Sequence, residues 1–385
     1  MSWKGRVIAL CTVVLAAMDS ARAAVPSSLV EAPLDSLTAY FDSEIWDRRE
    51  EALEAIDNNL RYLSSPQAEA AYRNLEGSGI TRLAVERTLR RFRVLLLTAS
   101  SPEELRGCLA REFALYRSKG RDGMGTVRFT GYFQPVYQAS RWPTAEYKYP
   151  IYRLPPDFEV WSHPHPTRVT LEGFDGTGSP ASPAWGYELA WLRTRYEAFM
   201  IHVQGSAILE LTDGSRMAVG FAGATNYRFG GISKTCLAQA GLEGVSWKKL
   251  YFNYTREFHR CLSRNNRFIF FKVNPRPDPI GNLGVPVVAE RSIATDKLKL
   301  PPGALGFIRT RMPYQRQDGA MALKAGGRFV LDQDAGSAIK GPGRVDIFMG
   351  TGREAERKAN WVYSDGELYY LVLKDGLPPP SGRPS

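Results

Sequence analysis

The chain has 385 residues, 44% of them hydrophobic and 23% charged, enough apolar material for one large domain or two medium ones. Its formal net charge of +10 points to an acidic polymer or an anionic surface as its working surroundings. Four cysteines, one inside the N-terminal apolar run, leave an odd number and argue against a disulfide framework.

Lys4 and Arg6 precede the apolar run Val7 to Met18, and Ala21-Arg22-Ala23 has the small-x-small form of an export cleavage site. Residues 1–23 therefore read as a signal peptide, and the run is too short to be kept as a membrane span. Cys11 follows Leu10 rather than a small residue, so it does not read as a lipid-modified cysteine. The expectation is an exported chain without a lipid anchor.

Residues 34–118 read as helical. Ser101-Pro102-Glu103-Glu104 is a helix start, with Ser as cap and Pro at the first position. Between Leu83 and Leu97, the residues Val85, Leu89, Phe92 and Leu96 share one face. Arg87, Arg90, Arg91 and Arg93 point largely away from it. No stacking aromatics accompany these arginines, so the reading is a solvated helix face and no nucleic-acid partner.

From Val127 the texture becomes mainly β. Short β-branched and aromatic runs alternate with Gly, Pro and Asp turns at Arg128–Tyr137, Phe199–Gln204, Arg267–Val273 and Arg328–Leu331. This pattern predicts barrels rather than a parallel sheet interleaved with helices. Leu154–Pro183 reads as a long connection without helix signals, and helix resumes over Ser233–Arg264. Cys236 and Cys261 could pair in an oxidising compartment. Tyr137, Trp142, Tyr147, Tyr149 and Tyr152 are aromatic enough to stack on sugars, although barrel core or packing suits most of them better. His163, His165, His202 and His259 have no metal-site spacing; His202 falls in the strand-like run with Gln204. Neither a metal nor a cofactor is expected. The Pro-rich tail Leu377–Ser385 reads as disordered.

The most informative stretch is Arg328–Gly352, where Asp334 and Asp346 flank a run of small residues. It has no helical period and reads as strand, tight loop, strand, with Asp346 on the apolar segment Val345–Met349. Lys340 would place a positive charge near both carboxylates. The spacing fits neither a calcium loop nor a phosphate-binding loop. A carboxylate site remains.

Seven separated segments resemble the membrane-bound lytic transglycosylase A family. They are Phe129–Val136, His202–Ser206, Phe268–Phe271, Gly284–Pro286, Arg291–Asp296 with Pro301–Gly303, Asp334–Lys340 and Asp346–Gly352. They occur in the family's order over residues 125–370, and the C-terminal part resembles the 3D module, whose aspartates would be Asp296, Asp334 and Asp346. The resemblance implies a double-psi β-barrel domain built from residues 24–136 and 266–385, with the N-terminal helices, and a smaller β-barrel domain inserted at 137–265. It implies peptidoglycan glycan strands as partner, bound in the groove between the two parts, and a periplasmic or cell-envelope location. The chain departs from many members in having no lipobox cysteine, so the expectation is peripheral association with wall or membrane rather than a lipid anchor. The implied chemistry is cleavage between N-acetylmuramic acid and N-acetylglucosamine, with the muramyl C6 hydroxyl closing a 1,6-anhydro ring.

By that correspondence Asp346 is the acid and then the base, with its pKa raised by apolar neighbours. Asp334 and Lys340 support it, and Asp296 is a structural loop residue. Thr130, Gly131 and Tyr132 would form groove wall, with Gly131 allowing close approach, and Gln204, Gly205 and Ser206 would bind N-acetyl and hydroxyl groups. Two other readings compete. One is a glycoside hydrolase using Asp334 as second carboxylate. The other is a wall-binding protein with an inactive groove.

Overall fold

The computed structural model describes residues 28–375, apart from 39, 76–78, 231, 233 and 246–255. The expected signal peptide and Pro-rich tail lie outside these residues. Among the described residues, no helix is long and apolar enough to cross a membrane.

A short strand, β1 (Leu29–Ala32), and a single-turn helix (Asp35–Thr38) precede four longer helices: α1 (Arg49–Leu63), α2 (Pro66–Arg73), α3 (Arg82–Thr98) and α4 (Pro102–Glu112). Local chemistry sets their starts. Ser65, Thr81 and Ser101 each accept a hydrogen bond from the backbone N–H three residues on, satisfying a donor that the first turn would otherwise leave free. α3 buries Val85, Leu89, Phe92 and Leu96, as the periodicity predicts. Its arginines are engaged within the chain, Arg91 with Glu112 at 2.6 Å and Arg93 with Asp57 at 2.7 Å. The helical region ends at Glu112 rather than at residue 118, because Phe113–Ser118 pairs along its length as strand β2. Alternate burial along Phe113–Leu115 is the strand signature there.

The helices pack on a barrel. Phe92 meets Phe329 with ring centroids 5.1 Å apart, and Asn59 Nδ2 donates to the Gly303 carbonyl at 2.8 Å. The barrel uses β3 (Val127–Gln134) and, far along the chain, β10 (Ser292–Ala294), β11 (Leu305–Gln315), β12 (Met321–Asp334), β13 (Arg344–Thr351) and β14 (Tyr363–Leu373). The order β14–β11–β12–β10–β13–β3 closes because β3 also pairs with β14. Closure leaves no open edge among these strands. Two pairings are parallel, β3 with β13 and β10 with β12; the rest are antiparallel. This is the expected larger barrel.

Between β3 and β10 lies a second sheet: β4 (Val136–Ser140), β5 (Tyr149–Tyr152), β6 (Glu188–Leu192), β7 (Ser206–Leu211), β8 (Arg216–Ala224) and β9 (Ile269–Asn274). Its order is β5–β6–β4–β7–β8–β9, and a bridge between Arg153 and Phe271 brings its two ends together. The sheet takes in β9, beyond the boundary at residue 265 that the sequence suggests.

Two elements here overturn the sequence reading. Phe199–Gln204 is no strand but the second half of helix α6 (Arg195–Gln204), with His202 in its last turn. Thr194 and Glu197 form a reciprocal capping box that starts the helix, and Gly205 at φ +79° ends it. The connection 154–183 does contain a helix, α5 (Arg168–Glu172), capped by Thr167. Farther on, α7 (Lys234–Gln239) and α8 (Arg256–Ser263) are joined by the Cys236–Cys261 disulfide. The last helix, α9 (Gly352–Ala359), packs on β3 and β13.

Candidate active site

Strand register brings the two aspartates together. On β10, Ala294 pairs with Asp346 of β13 on one side and with Asp334 of β12 on the other. Asp346 in turn pairs with Thr130 of β3. Thr130, Asp346, Ala294 and Asp334 thus form one row across the barrel, with the aspartate backbones two strand spacings, roughly 10 Å, apart.

The two carboxyls have different surroundings. Asp334 is fully engaged: Oδ2 accepts from the Tyr132 hydroxyl at 2.7 Å, and Oδ1 from the N–H groups of Asn282 at 2.7 Å and Ala335 at 2.8 Å. Burial pushes its pKa up, while the Tyr132 hydrogen bond and the two backbone donors oppose that rise. Asp346 has one described hydrogen bond, a long one of 3.3 Å from Arg344 Nη2 to Oδ1. Burial against apolar strand neighbours raises its pKa to about 6; Arg344 pulls against this and the Asp334 charge adds to it. Its side chain keeps 22% exposure, so this carboxyl still reaches the cavity.

Arg344 also donates to Thr130 Oγ1 at 2.8 Å, which fixes the guanidinium between Thr130 and Asp346. The sequence reading missed it, although residues two apart on a strand share a face, and Arg344 stands two before Asp346. Lys340 does not hold that place. It is exposed, lines the cavity beside Asp334, and makes no ion pair among the described residues. Asp296 accepts from Gly341 N–H at 2.7 Å and Leu298 N–H at 3.1 Å, tying its own turn to the loop between β12 and β13. A further aspartate, Asp332, is fully buried and takes hydrogen bonds from Tyr370 Oη at 2.6 Å and Thr295 Oγ1 at 2.7 Å, with Lys297 also against it. It belongs to the barrel interior.

A groove runs between the barrel and the second sheet. A cavity of about 310 Å³ is lined by Thr130, Tyr132, Gln204, Arg344 and Asp346. A neighbouring one of about 520 Å³ adds Gly205, Ser206, Asp334 and Lys340. Gln204 therefore lines a cavity with each of Asp346 and Asp334, whereas Gly205 and Ser206 share one with Asp334 only and Asp296 lines neither. Gln204 Oε1 accepts from Phe133 N–H at 3.1 Å, which leaves its amide nitrogen for the cavity. Gly131 lines the smaller cavity with Thr130 and Tyr132, and it also meets α9: an added Cβ would lie 2.8 Å from Ala359 Cα, so the glycine lets β3 pack on that helix. Of the five candidate stacking aromatics, none lines these two cavities, and Tyr147 and Tyr152 are buried.

Comparison with known proteins agrees with this fold. Residues 128–272 match the model of the MltA specific insert domain, and 291–372 match the 3D domain, together more than half of the chain. The membrane-bound lytic murein transglycosylase A of Escherichia coli K12 is 29% identical over 275 residues, covering 69% of this chain and 72% of that protein. The Vibrio cholerae protein of the same name is 29% identical over 264 residues, covering 66% and 68%. Among solved structures, a membrane-bound lytic murein transglycosylase from Agrobacterium tumefaciens superposes with a TM-score of 0.68 at 25% identity, covering 90% of this chain and 98% of the other. Escherichia coli MltA with bound chitohexaose gives 0.65 at 26% identity, covering 90% and 95%.

Proposed function

This chain belongs to the membrane-bound lytic transglycosylase A family, and from that premise we propose that it cleaves murein with Asp346 as its single acid and base. The enzyme is a peptidoglycan lytic transglycosylase, and the cell envelope is where its substrate lies. One observation carries the assignment of Asp346: it is the carboxyl in the groove that is both raised in pKa and almost free of internal hydrogen bonds.

The chemistry follows from that difference. With a pKa of about 6, Asp346 is substantially protonated in mildly acidic solution, and can donate to the glycosidic oxygen as the bond to the anomeric carbon breaks. The carboxylate so formed accepts the proton of the muramyl C6 hydroxyl as that oxygen bonds to the anomeric carbon. The 1,6-anhydro ring closes, no water is consumed, and Asp346 returns to its acid form.

Asp334 suits a supporting part. Its two oxygens already accept three hydrogen bonds, which leaves it poorly placed to attack carbon or activate water. Its charge raises the pKa of Asp346 and would stabilise positive charge developing on the sugar. This favours the transglycosylase over a two-carboxylate hydrolase. Gln204 and Ser206 offer an amide and a hydroxyl to N-acetyl and hydroxyl groups of the glycan, and Thr130 and Tyr132 form the opposite wall.

Mass spectrometry of purified peptidoglycan after digestion tests this reading. Anhydromuramyl ends are expected. Reducing ends would replace the transglycosylase by a hydrolase, and glycan binding without any product would leave a wall-binding protein.

A further inference from the structure

The row that carries the aspartates extends one strand further. Thr130 lies between Asp346 of β13 on one side and Tyr363 of β14 on the other. Residues directly opposite in an antiparallel pair share a face of the sheet, so the Tyr363 side chain stands on the face of Thr130. Side-chain contacts agree. Arg344 reaches both Thr130 and Asp346, and Arg128, two residues before Thr130, reaches the Tyr363 hydroxyl and Asp365. This is the outer face of the barrel, since the alternating residues Val127, Phe129, Val345 and Ile347 are fully buried. Tyr363 is 67% exposed and stands beyond the rim of the smaller cavity, on the side away from Asp334.

An exposed tyrosine is ordinary by itself. This one is held in place. The Arg128 guanidinium lies over the ring, 4.5 Å from its centroid, and Asp365 pins that guanidinium by accepting from Nε at 2.6 Å. Arg121 pairs with the same carboxylate at 2.8 Å. One face of the ring is therefore backed by a fixed group, and the exposure belongs to the other.

A pyranose ring has an apolar face of C–H bonds, which an aromatic ring can cover whatever charge or peptide the sugar carries. Tyr363 stands two strand spacings, roughly 10 Å, from Asp346, about the span of two sugars in a β-1,4 chain. On the reading that this groove binds murein, we propose that Tyr363 is a sugar-stacking residue at the end of the groove opposite Asp334, taking a sugar about two units from the bond cleaved at Asp346. It recognises the glycan backbone, so stem-bearing and stem-free strands gain alike. Chains that end before it gain nothing, and the enzyme favours longer strands.

The test uses a size series of stem-free murein oligosaccharides, from chains too short to span Asp346 and Tyr363 to chains that extend past both. KM and kcat for anhydromuramyl product are measured for wild type, Tyr363→Ala and Tyr363→Phe. Affinity for the same chains is measured by calorimetry in the Asp346→Asn background, with and without each Tyr363 substitution. Affinity should rise with chain length, and Tyr363→Ala should raise KM about threefold to tenfold for the long chains alone, the scale of one aromatic contact, with kcat unchanged. Tyr363→Phe keeps the ring and should behave as wild type. Equal losses at every length, or no loss with long chains, would overturn the proposal. So would Tyr363→Phe behaving as Tyr363→Ala, because the hydroxyl rather than the ring face would then matter. Length-dependent binding that needs the Tyr363 ring, without product from wild type, would support the stacking residue while refuting the cleavage. Absence of glycan binding at every length would overturn both.

Discussion

At the scale of single residues, the division of labour between Asp346 and Asp334 makes the sharpest predictions. Asp346→Asn keeps the shape of the side chain and removes its proton traffic, so turnover should fall by about 10³-fold with little change in KM. Because Asp346 must be protonated to start the reaction, kcat/KM of wild type should decline as pH rises through about 6. Arg344 holds that pKa down, so Arg344→Gln should move the decline to higher pH, read directly from the pH profile. Stability follows the same group. Its folded-state pKa lies above that of an unfolded carboxyl, so its stabilising contribution is fully present below about pH 4 and lost as pH rises through about 6. Asp346→Asn should accordingly be more stable than wild type at pH 8, by on the order of 1–2 kcal/mol in denaturant unfolding, and the gain should vanish at pH 4. A variant that gains nothing at pH 8 would mean that Asp346 is not strained by its surroundings.

At the scale of elements, the site depends on how tightly β3 sits against α9. Gly131→Ala would place a methyl 2.8 Å from Ala359 Cα and 3.0 Å from its carbonyl oxygen, both backbone atoms that cannot step aside. The substitution should cost about 1–3 kcal/mol in urea unfolding and displace Thr130 and Tyr132 with the strand. Loss of activity without loss of stability would instead mean that Gly131 meets the substrate. Legibility also varied by element. Ser101 and the Val85–Leu89–Phe92–Leu96 face were plain in the sequence, since caps and periodicity act within a few residues. Phe199–Gln204 misled because its apolar β-branched run is strand-like in composition. The deciding signal was Thr194 with Glu197, three residues apart and just upstream. Asp334 and Asp346 stood out through their small-residue context. Arg344 and the row through Ala294 did not, because which strands lie side by side is a property of the closed barrel rather than of any local segment.

At the scale of the whole molecule, the chain builds its barrel from both ends and inserts the second sheet between β3 and β10, so the groove is a junction of distant sequence. The parts of the second sheet that face the groove are backed by α6, whose Phe199 packs in a cluster with the Cys236–Cys261 pair. That disulfide spans 25 residues, and closing a loop of this length stabilises by roughly 3 kcal/mol in the chain-entropy account. Replacing both cysteines by serine should lower the urea midpoint by a corresponding amount and weaken glycan affinity more than it alters the pH profile. An unchanged midpoint would mean that the helices around the disulfide contribute nothing to the fold's cooperativity.

The most direct test of Asp346 as the lone acid and base is the rate of anhydromuramyl product formation by wild type, Asp346→Asn and Asp334→Asn on the same purified peptidoglycan. Asp346→Asn should form essentially none, while Asp334→Asn should retain measurable turnover with the same anhydro product. Undiminished product from Asp346→Asn, with activity lost only in Asp334→Asn, would contradict the assignment and move the chemistry two strands over, from β13 to β12.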